Sequence, residues 1–341
     1  MENCKVVRSF NDIDLNRWEE FVVAHPNGNV FQSSYYYEVI KKTKNWTPLG
    51  YFLINNGVIV GSLLVILQKE YDGLLGYFSS RAIIWGGPLI KNNDSELFSL
   101  LMRAFVQDIK RKAIYVQFRN LYGVSHGPTE FIPYKFKCEE RLTIIIDLAN
   151  SFESIFNNFH KSKKRNFTKS SNKGVIFSEI KDPEAIQQAY QLIQMTYSRI
   201  LLPVPGCSHF IALAEESNRG ICKFFAVYYE AEIIGVRVEL LYNGLVYDYY
   251  AGHDENHSNK YPNDYLITNI LQWGTEGNWK LFDFGGAGKP GVPYAVRDYK
   301  LKFSDNLVKV SRYTRINNKV LYYFAVAGFF LWKKTKRALK F

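Results

Sequence analysis

Two apolar runs flank Asn55-Asn56-Gly57 in YFLINNGVIVGSLLVIL (51–67), which predicts a β-hairpin whose second strand carries Gly61. The pattern recurs in FFAVYYEAEIIGVRVELL (224–241), with Gly235 in the corresponding place. A tight-turn dipeptide follows each hairpin, Asp72-Gly73 in one and Asn243-Gly244 in the other, and then a third strand, LLGYFS or LVYDYYAG. Apolar positions next fall into helical spacing: Leu97, Leu100, Leu101, Phe105 and Ile109 predict a helix over about 95–112. Leu266, Ile267, Ile270 and Leu271 predict another over about 263–276. A short strand closes each series, AIYVQF at 113–118 and KLFDFG at 280–285.

Helical stretches precede each series, at 14–23 and 34–44 and again from Pro183 to about 200. One such order could arise by chance, but a matched turn, glycine and helix in both halves indicate an internal duplication. The implied class is α+β: two tandem domains, each a mostly antiparallel sheet flanked by helices. The boundary is expected after LTIIIDL, giving domains at 1–150 and 151–312 and a separate tail at 313–341.

That tail has 13 consecutive apolar or small residues, VLYYFAVAGFFLW (320–332), followed by KKTKRALK. As a helix the run spans about 20 Å, too short for a hydrocarbon core of about 30 Å. Two readings stay open: a docking helix buried on the protein, or an interfacial segment whose lysines meet anionic lipid.

Charge narrows the partners. The formal net charge is +11, which favours an anionic partner. Much of it lies in two clusters, Lys161 to Lys173 and Lys333 to Lys340. Aromatic residues make up 16% of the chain, enough to line a sugar- or peptide-binding groove as well as fill cores. The four cysteines, Cys4, Cys138, Cys207 and Cys222, have no metal-ligand spacing, so neither a metal nor a disulfide framework is expected. MENCKVVRSFNDIDL shows no apolar leader, and a cytoplasmic location, with peripheral contact at the membrane's inner face, is expected.

The duplicated order resembles the GNAT acyltransferase fold, in which a hairpin and third strand lead into a helix whose N-terminus faces the acyl donor. The Q/R-x-x-G-x-G/A loop usual at that terminus is missing from both halves, which argues against ordinary coenzyme A binding. AGHDENHSNKYPNDYLI and SRAIIWGGPLIKNNDSELF stand in its place. Six segments in order resemble the FemABX family of non-ribosomal peptidyltransferases. They are FQSSYYYEVIKKTKNW (31–46), RAIIWGGPLI (81–90), HKSKKRNFTKSSNKGV (160–175), MTYSRI (195–200), FDFGGAG (282–288) and YKLKF (299–303). The resemblance implies transfer of an aminoacyl group from aminoacyl-tRNA, a co-substrate rather than a resident cofactor, to an amine of a peptidoglycan precursor.

It also implies site residues. Lys41 and Arg199 match positions that bind the anionic precursor, and Trp85 and Tyr250 are assigned to the same acceptor cleft. Lys300 matches the family's catalytic-site lysine, placed to stabilise negative charge on the acyl oxygen or on the departing tRNA ribose. If YKLKF is a strand returning from the glycine loop, Lys302 points away from Lys300. The attacking amine needs a base, and from the residues alone Asp283, Asp248 and Asp254, all at expected strand ends, are candidates, with Asp283 assigned to the catalytic site. Lys163, Lys164 and Arg165 are assigned to donor phosphates, although a solvated basic helix would look the same. The long helical arm that some members insert after the basic segment is absent here. Two other readings are an acyl-CoA-dependent N-acyltransferase acting on an amino sugar of a surface polysaccharide, and a non-catalytic RNA- or membrane-binding module.

Overall fold

The computed structural model describes residues 4–69, 76, 78–123 and 126–338. These form two compact units, residues 1–140 with 310–341, and residues 141–309.

In the first unit the hairpin Trp46–Asn55 and Val58–Gln68 turns at Asn56 and Gly57, whose φ values of 49° and 79° match the twist of the two strands. Cys4–Val7 pairs with its outer edge, and Arg81–Trp85 pairs antiparallel with its inner one. Tyr115–Arg119 then runs parallel to Arg81–Trp85, the helix Ser95–Ile109 making the crossover. Asp94 caps that helix, its carboxylate accepting from the backbone N–H groups of Glu96 and Leu97 at 2.9 and 3.0 Å. Phe98, Leu101, Met102, Phe105 and Ile109 are its buried stripe, with Leu97 and Leu100 on the flank. The stripe packs on Tyr51, Leu53, Leu63, Val65 and Phe118 of the sheet.

The expected strand LLGYFS falls partly outside the described residues (74, 75 and 77), and none of its described residues is in a strand. The third strand is Arg81–Trp85, inside the glycine-proline segment.

The second unit repeats the plan. Cys222–Tyr229, Glu232–Tyr242 and Leu245–His253 form an antiparallel meander edged by Ile176–Ile180. The helix Pro262–Glu276 leads to Leu281–Asp283, which lies parallel to Leu245–Tyr247. The two hairpin glycines are equivalent in detail. Each sits at a register shift, Gly61 opposite Leu53 and Gly235 opposite Val227. Each also lies where a Cβ would press on the chain leading into or beginning the unit's crossover helix: Ile90 at 3.1 Å for Gly61, and Pro262 at 2.9 Å for Gly235.

The units divide the chain differently from the expected 1–150, 151–312 and 313–341. Ile145–Asp147, at the end of the strand Lys137–Asp147, pairs with Leu281–Asp283 in the second unit. Arg312–Ile316, from the strand Leu307–Ile316, pairs with Tyr115–Arg119 in the first. The short closing strand of each repeat leaves an open edge, and each edge is covered by the strand that follows the other repeat. The helix Lys319–Ala338 belongs with the first unit.

Candidate functional site

The second unit gathers its buried charge around one break in the sheet. The parallel ladder between Leu245–His253 and Leu281–Asp283 stops at Tyr247 and Asp283. Past that point the chain leaves the sheet as Phe284-Gly285-Gly286, and Asp248 continues the other strand. Gly285 and Gly286 have φ values of 63° and 89°. A Cβ on Gly285 would lie 2.5 Å from the Asp248 carbonyl oxygen, so only glycine lets the loop run this close to the strand. Asp283, almost fully buried, holds the loop from below: it accepts from the Thr143 hydroxyl and, at 2.8 Å, from the Gly285 N–H. Burial pushes its carboxyl above the usual range, and these two bonds oppose the push.

The chain then returns as a helix, Ala295–Lys300, and not as the expected strand. The cause is Arg297, whose guanidinium donates to the carbonyls of Ala287, Lys289 and Val292 at 3.4, 2.8 and 2.6 Å. Tying the loop to itself this way gives the following residues no ladder partner and favours a helical turn. The turn carries Lys300 inward and leaves Lys302 exposed.

Lys300 is 9% exposed, and its ammonium donates to the carbonyls of Phe284 at 2.6 Å and Gly286 at 2.9 Å. Burial pulls its pKa down; Asp248, Asp283 and Glu239 pull it back up, and Arg237 adds to the lowering. Arg237 and Asp248 form a buried ion pair across neighbouring strands. Glu239, two residues from Arg237 on the same strand, is fully buried with neither carboxylate oxygen hydrogen-bonded. Burial, followed by the nearby Asp248, pushes its pKa well above the usual range, while Arg237 and Lys300 oppose that.

A second cluster lies at the start of the helix Pro262–Glu276. Asp264, in its first turn and 5% exposed, accepts from the ammonium of Lys163, the amide of Asn166 and the hydroxyl of Tyr299, each at 2.7 Å. Lys163 also sits 3.7 Å above the Tyr299 ring. Burial lowers its pKa, and Asp264 opposes that. Lys163, Asp264 and Tyr299 line a cavity of about 200 Å³ together with His253, Tyr261 and Asn263. His253 meets the Asn263 amide through Nδ1 at 3.0 Å. Burial, then Arg199, lowers its pKa.

The expected residues are therefore sorted. Lys300, Asp283 and Lys163 are buried groups of the second unit. Lys164 reaches back to the Asn157 carbonyl at 2.9 Å, and Arg165 is exposed. Arg199 bonds the His253 carbonyl at 3.4 Å and the Glu255 carboxylate at 3.2 Å, along the segment that leads to the cavity. Tyr250 stands in an aromatic group with Tyr197, Phe210 and Tyr249, ring centroids 5.5, 5.3 and 4.4 Å away. In the first unit Lys41 is exposed and paired with Glu38 at 3.0 Å. Trp85 is stacked on Phe31 with Arg119 over its ring, at 5.2 and 4.8 Å. Arg237, Glu239, Asp264 and Tyr299 are the additions made by the structure. One sequence signal points to the first two: a pair of charges two positions apart in the otherwise apolar strand IIGVRVELL.

Residues 157–301 match the model of an acetyltransferase (GNAT) domain family. FemX is similar over 94% of this chain and 99% of its own, with a TM-score of 0.70 at 15% identity. A tandem GNAT protein from the clavulanic acid biosynthesis pathway covers 92% of this chain and 99% of its own, with a TM-score of 0.58 at 9% identity. L-PGS from Bacillus licheniformis covers 90% of this chain and 92% of its own, with a TM-score of 0.56 at 14% identity. Comparison with curated protein sequences finds no match. With its repeat order, its paired glycines and these likenesses, the chain has a tandem GNAT fold, and its second unit carries a GNAT-fold acyltransferase domain.

Proposed function

We propose that the protein transfers an aminoacyl group from aminoacyl-tRNA to an amine of a peptidoglycan or other cell-envelope precursor, by direct attack and without an acyl-enzyme. The observation that carries this reading is the fixed ammonium of Lys300. Two of its three N–H groups are held by the carbonyls of Phe284 and Gly286. The third serves the acyl oxygen as it becomes an oxyanion, in a buried setting where such help is large. In the proposed step the amine nitrogen bonds to the ester carbon and the C–O bond to the tRNA ribose breaks. The proton lost by the amine ends on the ribose oxygen. Asp283 serves here by holding the loop whose carbonyls grip Lys300.

The choice of donor rests on Asp264. A coenzyme A diphosphate would be drawn to the N-terminus of the helix Pro262–Glu276, where backbone N–H groups and the helix dipole favour anions. A buried carboxylate already occupies that first turn and takes up Lys163. A diphosphate there would find Lys163 already paired with Asp264. This supports a donor gripped elsewhere, in keeping with the FemABX-like segments. The family model names an acetyltransferase domain, and it is the observation behind the second reading, acyl-CoA-dependent transfer to an amino sugar.

The test offers purified full-length protein radiolabelled aminoacyl-tRNA or acetyl-CoA, with a nucleotide-linked muropeptide or an amino sugar as acceptor. Label moving from tRNA to the muropeptide is the expected result. Consumption of acetyl-CoA instead would overturn the donor assignment. Consumption of neither donor would leave a binding module as the better reading.

A further inference from the structure

The helix Lys319–Ala338 is tied to the first unit near its start. The Asn318 side chain accepts from the Leu321 N–H at 3.1 Å, and the Tyr322 ring meets Tyr115 edge-on at 5.4 Å. Beyond that turn residues 323–331 are all exposed. Phe324 is 70% exposed, Phe330 75% and Leu331 64%. They do not form one stripe: Val320, Tyr323, Val326 and Phe329 extend the exposure around the helix. An amphipathic helix awaiting a groove would show one apolar face, whereas a helix apolar all round suits a fluid apolar medium.

Charge and length identify the medium. Residues 319–341 contain no Asp or Glu, and the basic residues flank the apolar run, Lys319 before it and Lys333, Lys334, Lys336, Arg337 and Lys340 after it. The run of 13 residues spans about 20 Å, against about 30 Å of hydrocarbon, so its two basic ends cannot reach opposite headgroup layers. No helix of the described residues is long and apolar enough to cross a membrane. Both ends therefore belong at one surface. We infer that this helix docks the protein on an anionic phospholipid bilayer, submerged along one leaflet with its lysines extended to the headgroups.

The proposal does not depend on the acyltransferase reading. Its test is sedimentation of full-length protein with vesicles of phosphatidylcholine alone or mixed with phosphatidylglycerol. Binding is expected on the mixed vesicles, weakened by salt. Phe324→Asp with Phe330→Asp should reduce it at least tenfold while leaving the thermal unfolding profile unchanged, since both rings are exposed. Lys333→Glu with Lys334→Glu should reduce binding to mixed vesicles alone. Absence of binding to mixed vesicles, or equal binding by the Asp variant, would overturn the proposal. So would a self-association in light scattering that the Asp variant abolishes while lipid binding persists, because the helix would then serve a second copy of the chain.

Discussion

Lys163 and Asp264 stand 101 positions apart in the chain and meet as a buried ion pair, Nζ 2.7 Å from Oδ1. The two partners are not equivalent. Asp264 is also bonded by Asn166 and Tyr299, so it keeps two donors when the lysine is removed. Among the described residues, Lys163 deprived of Asp264 keeps only the rings of Tyr299 and Phe303, at 3.7 and 5.0 Å. Asp264→Ala should therefore cost about 3–5 kcal/mol, the usual range for leaving a buried charge unpaired, and Lys163→Met clearly less. Denaturant unfolding of the two variants and their combination measures the difference. Equal losses would mean that packing, rather than the stranded charge, sets the cost.

Lys300→Ala removes the ammonium bonded to Phe284 and Gly286. If it stabilises the developing oxyanion, kcat should fall about 10²–10³-fold. Affinity for the acceptor, measured by calorimetry, should change little, because the interaction is stronger in the transition state than in the ground state. A variant that turns over normally, or one that loses acceptor affinity alone, removes Lys300 from the chemical step.

Much of this arrangement is legible in the sequence, and the part that is not has a common cause. The hairpins, their glycines and the crossover helices are fixed by local periodicity and turn residues, and so are the helix starts at Asp94 and Pro183. Side-chain periodicity even marks Lys163: with Phe167 and Ser170 it falls at i, i+4 and i+7, the inward side of the basic helix Lys161–Asn172. Nothing local marks Asp264 as its partner. Residues 295–300 fail for the same reason. YKLKF reads as a strand because two lysines alternate with apolar residues, while the helical turn depends on Arg297 reaching three carbonyls up to ten positions away. The strand Leu307–Ile316 likewise looks like an end of the second repeat until its ladder partner, Tyr115–Arg119, is known.

Glu239 has a pH signature. Its folded pKa lies well above the ordinary value, so between the two the folded state binds a proton that the unfolded state has released. Stability must then fall as pH rises from about the ordinary Glu value, near 4.3, toward the folded pKa. Glu239→Gln keeps the shape and neutrality of the protonated acid and removes this dependence. The variant should match the parent below about pH 4 and exceed it increasingly as pH rises toward the folded pKa, read as the difference in denaturant midpoints. A difference that is flat with pH, or that favours the parent at high pH, would show that the carboxyl is ionised in the folded protein.

The glycine loop offers a matched pair of substitutions, because Gly285 and Gly286 are adjacent and both have positive φ. At Gly286 a Cβ meets nothing within 4 Å, so Gly286→Ala carries only the left-handed penalty, about 1–2 kcal/mol. At Gly285 the same atom lies 2.5 Å from the Asp248 carbonyl oxygen and 3.2 Å from the Tyr247 ring. Relief of that contact must push the loop off the strand, adding about 1–3 kcal/mol. It also moves the Phe284 carbonyl, one of the two that hold Lys300. Gly285→Ala should therefore lose both stability and turnover, and Gly286→Ala mainly stability, when unfolding and initial rates are measured on the same preparations. If turnover falls equally in both, the close approach of Gly285 to Asp248 has no bearing on where Lys300 is held.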